Sequence, residues 1–197
     1  MSGQAETSGP GRLIVISGPS GVGKSTIVKE VLGRMGLDFS VSATTRARRP
    51  AEVDGRDYRF VSREEFERLI QADGLLEWAE VFGNYYGTPA GPVRQAVEAG
   101  RTILLDIDVQ GAMQVHGKCP AARFILIEPP DEKMLEIRLN GRGTEDDASK
   151  ARRLAKAREE LAKARSSGVY NHYVVNDDLE TAIRQVVGII NQESAKR

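Results

Sequence analysis

Apolar positions recur along this chain with two periods, and each change of period marks an element. Leu13-Ile14-Val15-Ile16 is a continuous, mostly β-branched run that predicts a buried strand. From Thr26 to Leu32 the positions Ile27, Val28, Val31 and Leu32 fall at helical spacing. Phe39-Ser40-Val41 predicts a short second strand, and Asp57-Tyr58-Arg59-Phe60-Val61 another. Ser62 with Glu65 three residues on is a capping box, and Val61 and Phe66 stand where a hydrophobic staple closes. A helix follows with Phe66, Leu69 and Ile70 inward and Gly74 beyond its end. Leu75 to Phe82 predicts a strand, Gly83 to Gly87 a turn-rich aromatic segment. Thr88 and Pro89 then suit the start of a helix carrying Val93, Ala96 and Val97 that stops at Gly100.

Thr102 to Asp108 is a second buried run, and Arg123 to Ile127 a third, closed by Pro129-Pro130. Asp131 caps a short helix with Met134, Leu135 and Ile137 inward, broken at Gly141-Arg142-Gly143. From Thr144 to about Arg165 the pattern is helical but poor in large apolar groups, with only Leu154 and Leu161, so weak docking and mobility are expected. Tyr173-Val174-Val175 gives the last strand, and Asp178 caps a helix with Ala182, Ile183, Val186, Val187 and Ile190 on one face. Roughly five strands alternate with helices, and continuously apolar strands indicate a parallel sheet covered on both faces, so the fold class is α/β, three-layered. Residues 42–88 and 131–165 break the alternation. They read as two insertions over the sheet's C-terminal edge, leaving a core of 12–41, 89–130 and 166–197.

Composition narrows the setting. Lys plus Arg and Asp plus Glu both number 28 among 197 residues, so no global basic field points to nucleic acid or an anionic membrane. The apolar runs are far too short to span a bilayer. Residues 1–11 are small and polar, without the basic and apolar regions of a signal peptide, and read as a disordered tail. Cys119 is the only cysteine, which suits a reducing cytoplasm. It reads as a core or loop residue, and His116 and His172 as surface or supporting groups.

The chemistry starts at Gly18-Pro19-Ser20-Gly21-Val22-Gly23-Lys24-Ser25-Thr26, which fits G-x-x-x-x-G-K-[ST] between a strand and a helix. Glycines let the backbone wrap an anion with its N–H groups inward, and the helix N-terminus adds partial positive charge. Lys24 reaches terminal phosphates in such a loop, and Ser25 offers its hydroxyl to Mg²⁺. Asp106 and Asp108 end a buried strand, where ligands of parallel sheets bind; they are either site carboxylates or helix caps. Asp106 resembles the acid that fixes Mg²⁺, partly through water, in enzymes with this loop. Arg46, Arg48 and Arg49 form either a solvated charged loop or an anion clamp. Glu77 alternates away from Leu76 and Trp78, and a buried carboxylate needs a partner. Arg142, Arg152 and Arg153 are either a charged solvated face or anion ligands.

Taken together, the loop, Ser42-Ala43-Thr44-Thr45-Arg46, Gly55-Arg56-Asp57-Tyr58, Glu77-Trp78-Ala79, Gly83-Asn84-Tyr85-Tyr86-Gly87-Thr88, Asp106-Ile107-Asp108-Val109-Gln110-Gly111, Gly141-Arg142-Gly143-Thr144 and Val175-Asn176-Asp177-Asp178 resemble guanylate kinase, from about Arg12 to the C-terminus. The resemblance implies a three-layer P-loop NTPase fold with a GMP-binding insert (42–88) and a helical lid (131–165). It implies transfer from ATP to GMP with Mg²⁺, giving ADP and GDP, in a cytoplasmic monomer or small homo-oligomer. Arg46, Arg49, Tyr58 and Tyr86 would then hold the GMP phosphate, with Arg48 ranked below the two other arginines. Ser42, Glu77, Thr88 and Asp108 would read guanine. Gly18, Ser20, Gly21, Val22, Gly23, Lys24, Ser25, Thr26 and Asn176 would hold ATP, Ser25 and Asp106 Mg²⁺, and Lys24, Arg142 and Arg153 would supply charge to the moving phosphoryl group. A phosphopeptide-binding module of the same fold, or a kinase of sugar phosphates, are the competing classes. The intact Lys24 and Ser25 argue against the first, Glu77 with Tyr85-Tyr86-Gly87-Thr88 against the second.

Overall fold

A computed structural model describes residues 11–140 and 147–192. Its elements in chain order are β1 (Arg12–Ser17), α1 (Lys24–Met35), β2 (Asp38–Phe39), β3 (Ala43–Thr44), β4 (Arg59–Phe60), α2 (Arg63–Gln71), β5 (Leu75–Val81), β6 (Asn84–Pro89), α3 (Ala90–Glu98), β7 (Thr102–Asp106), α4 (Val109–Lys118), β8 (Arg123–Glu128), α5 (Glu132–Asn140), α6 (Asp147–Ser166), β9 (His172–Val175) and α7 (Leu179–Asn191). Five of the strands form one sheet in the order β2-β7-β1-β8-β9, all parallel. As the apolar runs require, both faces are covered. Ile14, Ile16, Leu104, Ile125 and Ile127 pack under α1 and α7 through Ile27, Val31, Ile183 and Val186. The alternate residues Leu13, Val15, Leu105, Phe124 and Leu126 pack under α3 and α4 through Val93, Ala96, Ala112 and Val115.

Residues 43–89 add a second sheet in the order β4-β3-β6-β5. Here β3 and β4 are parallel, and β6 is antiparallel to both β3 and β5. Gly83 to Gly87 therefore departs from the expected turn-rich segment. The reversal takes only Phe82 and Gly83, at φ 50° and 76°, and Asn84 already pairs with Val81. Two consecutive left-handed residues give the hairpin turn whose twist matches its strands. Thr88 lies inside β6 and is not a helix cap; α3 begins after Pro89, with no side-chain cap. One face of this sheet closes on α2. Phe66, fully buried, packs on Ala43 and Leu75, and its ring stacks on Tyr85 at 5.2 Å. Ser62 caps α2 as expected, accepting from Glu65 N at 3.1 Å, whereas the Glu65 carboxylate turns to Arg59.

The helices after β8 are anchored in two different ways. Met134 N donates to Asp131 at 2.7 Å, so the expected cap is present. Ile137, expected inward, is 53% exposed, and Leu139 takes the buried place beside Leu135. Helix α6 docks through a stripe at 154, 157, 161 and 164. Leu154 and Ala157 rest on Leu135 and Leu139 of α5, while Leu161 and Ala164 join the main core. The expectation of weak docking counted only the leucines; the alanines bury fully and let α6 approach closely. No helix among the described residues is long and apolar enough to cross a membrane. Chemical denaturation checks the burial pattern: Phe66→Ala should cost about 3–5 kcal/mol, whereas Phe82→Ala, at a position 99% exposed, should change stability by less than about 0.5 kcal/mol.

Candidate active site

The end of β1 and the start of α1 are joined by a loop with room for almost no side chains. Gly21 and Gly23 have φ of 85° and 89°. A Cβ on Gly18 would meet the Ile127 carbonyl oxygen at 2.5 Å, on Gly21 the Leu139 side chain at 2.6 Å, and on Gly23 the Asn176 side chain at 2.6 Å. Gly23 is the N-cap of α1 but provides no side-chain cap, and the first turn holds no acid. The Thr26 and Ile27 N–H groups bond back to the Gly23 carbonyl oxygen at 3.2 and 3.3 Å, and those of Lys24 and Ser25, ahead of them, have no preceding turn to bond, which is the condition for binding an external anion. Two buried contacts brace the loop. Asn176 Nδ2 donates to the Val22 carbonyl oxygen at 2.8 Å, and Tyr170 Oη donates to Ser17 Oγ at 3.0 Å.

Lys24 turns from this loop toward β7. Its Nζ donates to the Asp106 carboxylate and, at 3.0 Å, to the Ile107 carbonyl oxygen. Both charged side chains are mostly covered, at 17% and 16% exposure. The two aspartates at this edge have different local roles. Asp108 is the N-cap of α4 and accepts from Gly111 N at 2.7 Å, while Asp106 faces Lys24. Ser25, in the first turn of α1, is exposed. An exposed hydroxyl and a carboxylate on adjoining elements are hard oxygen donors of the kind Mg²⁺ takes. The described residues contain no group of three His, Cys, Asp or Glu side chains able to hold a metal by themselves.

The second sheet turns its other face to this edge. Glu77, 9% exposed, accepts from Thr88 Oγ1 at 2.6 Å. Its Oε2 and Asp108 Oδ1 both crowd Gly111 of α4, where a Cβ would meet them at 3.0 and 3.4 Å. One step beyond the β3–β6 pair Ala43↔Gly87, Ser42 comes into line with Thr88 and hence with Glu77. Burial pushes the Glu77 carboxyl up to about 7; the Asp108 charge adds to this and the bond from Thr88 opposes it. Gln114 was not legible as a site-building residue. Its amide bonds both backbone groups of Trp78, at 3.1 and 3.0 Å, and so fixes β5, with Glu77, on α4.

Arg46 lies beside the same sheet. Its guanidinium spans Glu52 at 2.7 and 3.1 Å and sits 5.6 Å from the Tyr58 ring centre. The Tyr58 and Tyr86 rings are 6.0 Å apart. Glu52 also accepts from the Arg49 backbone N–H at 2.8 Å, and its carbonyl oxygen from Arg48 at 3.3 Å. One acid, missed in the sequence, therefore shapes the loop that carries all three arginines. The bonds from Arg46 and Arg49 hold the Glu52 carboxyl below the usual carboxylate range. Burial pushes the Tyr58 hydroxyl up, with Tyr86 adding to this and the Arg46 charge opposing it. Arg153 lies half-buried on α6; Arg142 lies outside the described residues. His116 packs edge-on against Phe124 and Cys119 against the core, away from this edge.

A glycine loop with its lysine thus faces a buried acid–hydroxyl pair across the carboxyl ends of β1 and β7, with an arginine–tyrosine cluster alongside. The family model described as guanylate kinase matches residues 10–193. The chain belongs to the guanylate kinase family. A guanylate kinase from Gloeobacter violaceus is 54% identical over 183 residues, covering 92% of this chain and 88% of the relative. One from Synechocystis is 48% identical over 189 residues, 95% and 97% of the two chains. The crystal structure of guanylate kinase from Anaplasma phagocytophilum superposes with a TM-score of 0.75 at 34% identity, covering 95% of this chain and 88% of that one.

The raised Glu77 pKa predicts how stability varies with pH. Between the usual value of 4.5 and about 7 the folded chain holds a proton that the unfolded chain has released. This contribution is complete below 4.5 and is lost as pH rises through 7. It amounts to about 3 kcal/mol. Thermal denaturation of the ligand-free chain between pH 5 and 8 should show the decline, and Glu77→Gln should flatten it.

Proposed function

We propose that this chain transfers the γ-phosphoryl group of ATP to GMP, giving ADP and GDP, with the loop at 18–26 and the Glu77 pocket as its two subsites. The observation that carries the reading is the Glu77–Thr88 pair at 2.6 Å, buried beside Asp108 at the edge where Lys24 and Asp106 meet. Guanine presents N1–H and an exocyclic amino group as donors, and O6 as an acceptor. The Glu77 carboxylate would take the donors, with Ser42, Thr88 and Asp108 completing the polar edge. Adenine has no N1–H and would leave the buried acid unanswered.

The remaining roles follow the chemistry of the groups. The backbone N–H groups from Gly18 to Thr26 would cradle the ATP phosphates, through Ser20, Gly21, Val22, Gly23, Lys24 and Ser25, with Asn176 near the adenine. Arg46, Arg49, Tyr58 and Tyr86 would hold the GMP phosphate. Glu52 now occupies Arg46, so phosphate and carboxylate would share or exchange the guanidinium. Ser25 and Asp106 would hold Mg²⁺, which would supply positive charge against the phosphates.

A GMP phosphate oxygen attacks the γ-phosphorus, the bond to the β–γ bridging oxygen breaks, and ADP departs with that electron pair. The attacking oxygen is already anionic near neutral pH, so no strong base is required. Lys24 must turn from Asp106 to the phosphates, and with Arg142 and Arg153 it would balance the equatorial charge. Residues 42–88 would act as the GMP-binding unit and 131–165 as the cover that excludes water. The single thiol suits a cytoplasmic setting.

A coupled ADP-formation assay with GMP, AMP, UMP and ribose phosphate tests the reading. GMP alone should support rapid turnover, and equal rates with AMP would overturn it. Lys24→Ala should abolish turnover while the circular dichroism spectrum stays unchanged. Glu77→Gln should lower kcat/KM for GMP on the order of 10²-fold by mispairing two donors, with ATP affinity retained.

A further inference from the structure

Strand β5 does not run straight into the site. Leu75 pairs with Pro89 and Glu77 with Thr88, so two steps along β5 match one along β6, and Leu76 is the extra residue of a bulge. Leu76 packs in the main core, whereas Glu77 meets Thr88 and borders Gly111 beside Asp108. A bulge of this kind re-aims a side chain, and a slip of one residue would exchange the faces that Leu76 and Glu77 present. Whatever pins the bulge therefore aims the buried acid.

β5 is also an edge strand, last in the order β4-β3-β6-β5, so its outer N–H and C=O groups have no neighbouring strand to bond. Helix α4 takes that place. Lys118 Nζ donates to the Leu75 carbonyl oxygen at 2.7 Å, just before the bulge. Gln114, one turn earlier on α4, bonds just after it. Its Oε1 accepts from Trp78 N at 3.1 Å, and its Nε2 donates to the Trp78 carbonyl oxygen at 3.0 Å. A carboxamide has the donor and acceptor of a peptide group, so Gln114 stands in for a missing strand at one residue. One more turn back lies Gly111, where a Cβ would meet Glu77 Oε2 at 3.0 Å. Three successive turns of α4, at 111, 114 and 118, thus bear on β5 at 77, 78 and 75.

We propose that Gln114, helped by Lys118, is a positioning residue for base selection: it clamps the β5 bulge to α4 and so aims Glu77 at the guanine edge. Gln114 acts through Glu77 and not on the substrate itself. Leu76 sets how deep the strand sits, but apolar contact has no direction. Two hydrogen bonds to one residue do have direction, and they fix how the strand is turned about its axis. Thr88 cannot serve in their place, because it belongs to the same sheet as Glu77 and does not tie that sheet to α4. The inference rests on the Glu77 pocket being the guanine subsite.

Steady-state kinetics of the full chain with GMP and with inosine monophosphate test it. The second substrate keeps N1–H and O6 but lacks the 2-amino group, so the preference for GMP measures how well Glu77 meets both donors. Gln114→Leu removes both bonds to Trp78. Gln114→Glu keeps the acceptor for Trp78 N–H but sets a carboxylate against the Trp78 carbonyl oxygen. Both should raise the KM for GMP roughly tenfold with kcat little changed, lower the preference for GMP over inosine monophosphate severalfold, and leave the KM for ATP unaltered. Lys118→Met, which loses the bond on the other side of the bulge, should shift the preference in the same direction, and it decides the matter if neither variant at 114 folds. A merely structural role would reduce turnover of the two acceptors alike, so an unchanged preference in the folded variants overturns the inference. If the unsubstituted chain does not favour GMP over AMP, the guanine reading itself falls; if it does and the variants keep its preference, this inference alone is lost.

Discussion

A parallel sheet that is apolar on both faces has one place left for polar chemistry, the edge where its strands end. Here β1, β7 and β8 end together, and their terminal groups are Ser17, Asp106 and Glu128. Each is met by a side chain from elsewhere: Tyr170, Lys24 and Arg165. The direction of the strands, set by the crossover helices, thus concentrates polar groups where chain excursions can reach them. The second sheet follows β2, and α5 follows β8, so both are reached from strands that end at this edge.

The glycine loop is the tightest point of that arrangement. Ile127, Leu139 and Asn176 come within 2.6 Å of where Cβ atoms would stand on three of its glycines. The glycines therefore serve two ends at once. They leave backbone N–H groups bare for an anion, and they let β8, α5 and the segment after β9 close over the loop. A side chain at Gly21 would push against α5 as well as disturb the cradle.

Charge at the edge is held by internal partners that ligands can replace. Glu77 sits buried with a single hydroxyl partner and a raised pKa, Lys24 is occupied by Asp106, and Arg46 by Glu52. In the proposed reaction each of these groups exchanges an internal partner for a substrate group. The exchange costs less than assembling bare charges would, because the groups are already desolvated and aimed.

What the sequence determined by itself is what depends on near neighbours. The caps at Ser62, Asp131 and Asp178 work within three residues, and the glycine loop within nine, so the pattern suffices for each. The buried runs forming β1, β7 and β8 are legible because burial on both faces leaves no polar position. The Glu77 pattern shows that a partner is needed, and the family resemblance names its role, but Thr88 becomes that partner only through the β5–β6 register. The β6 hairpin was hidden because Asn84 and Gly87 are turn-forming residues used within a strand. Gln114 and Glu52 were not legible, since each acts on backbone or charge brought near by the fold. The α6 stripe was half-read, because an alanine's burial depends on what lies opposite. Local physics wrote the elements; only the tertiary structure could decide which of their polar groups would meet, because those distances depend on how separate segments pack at one edge.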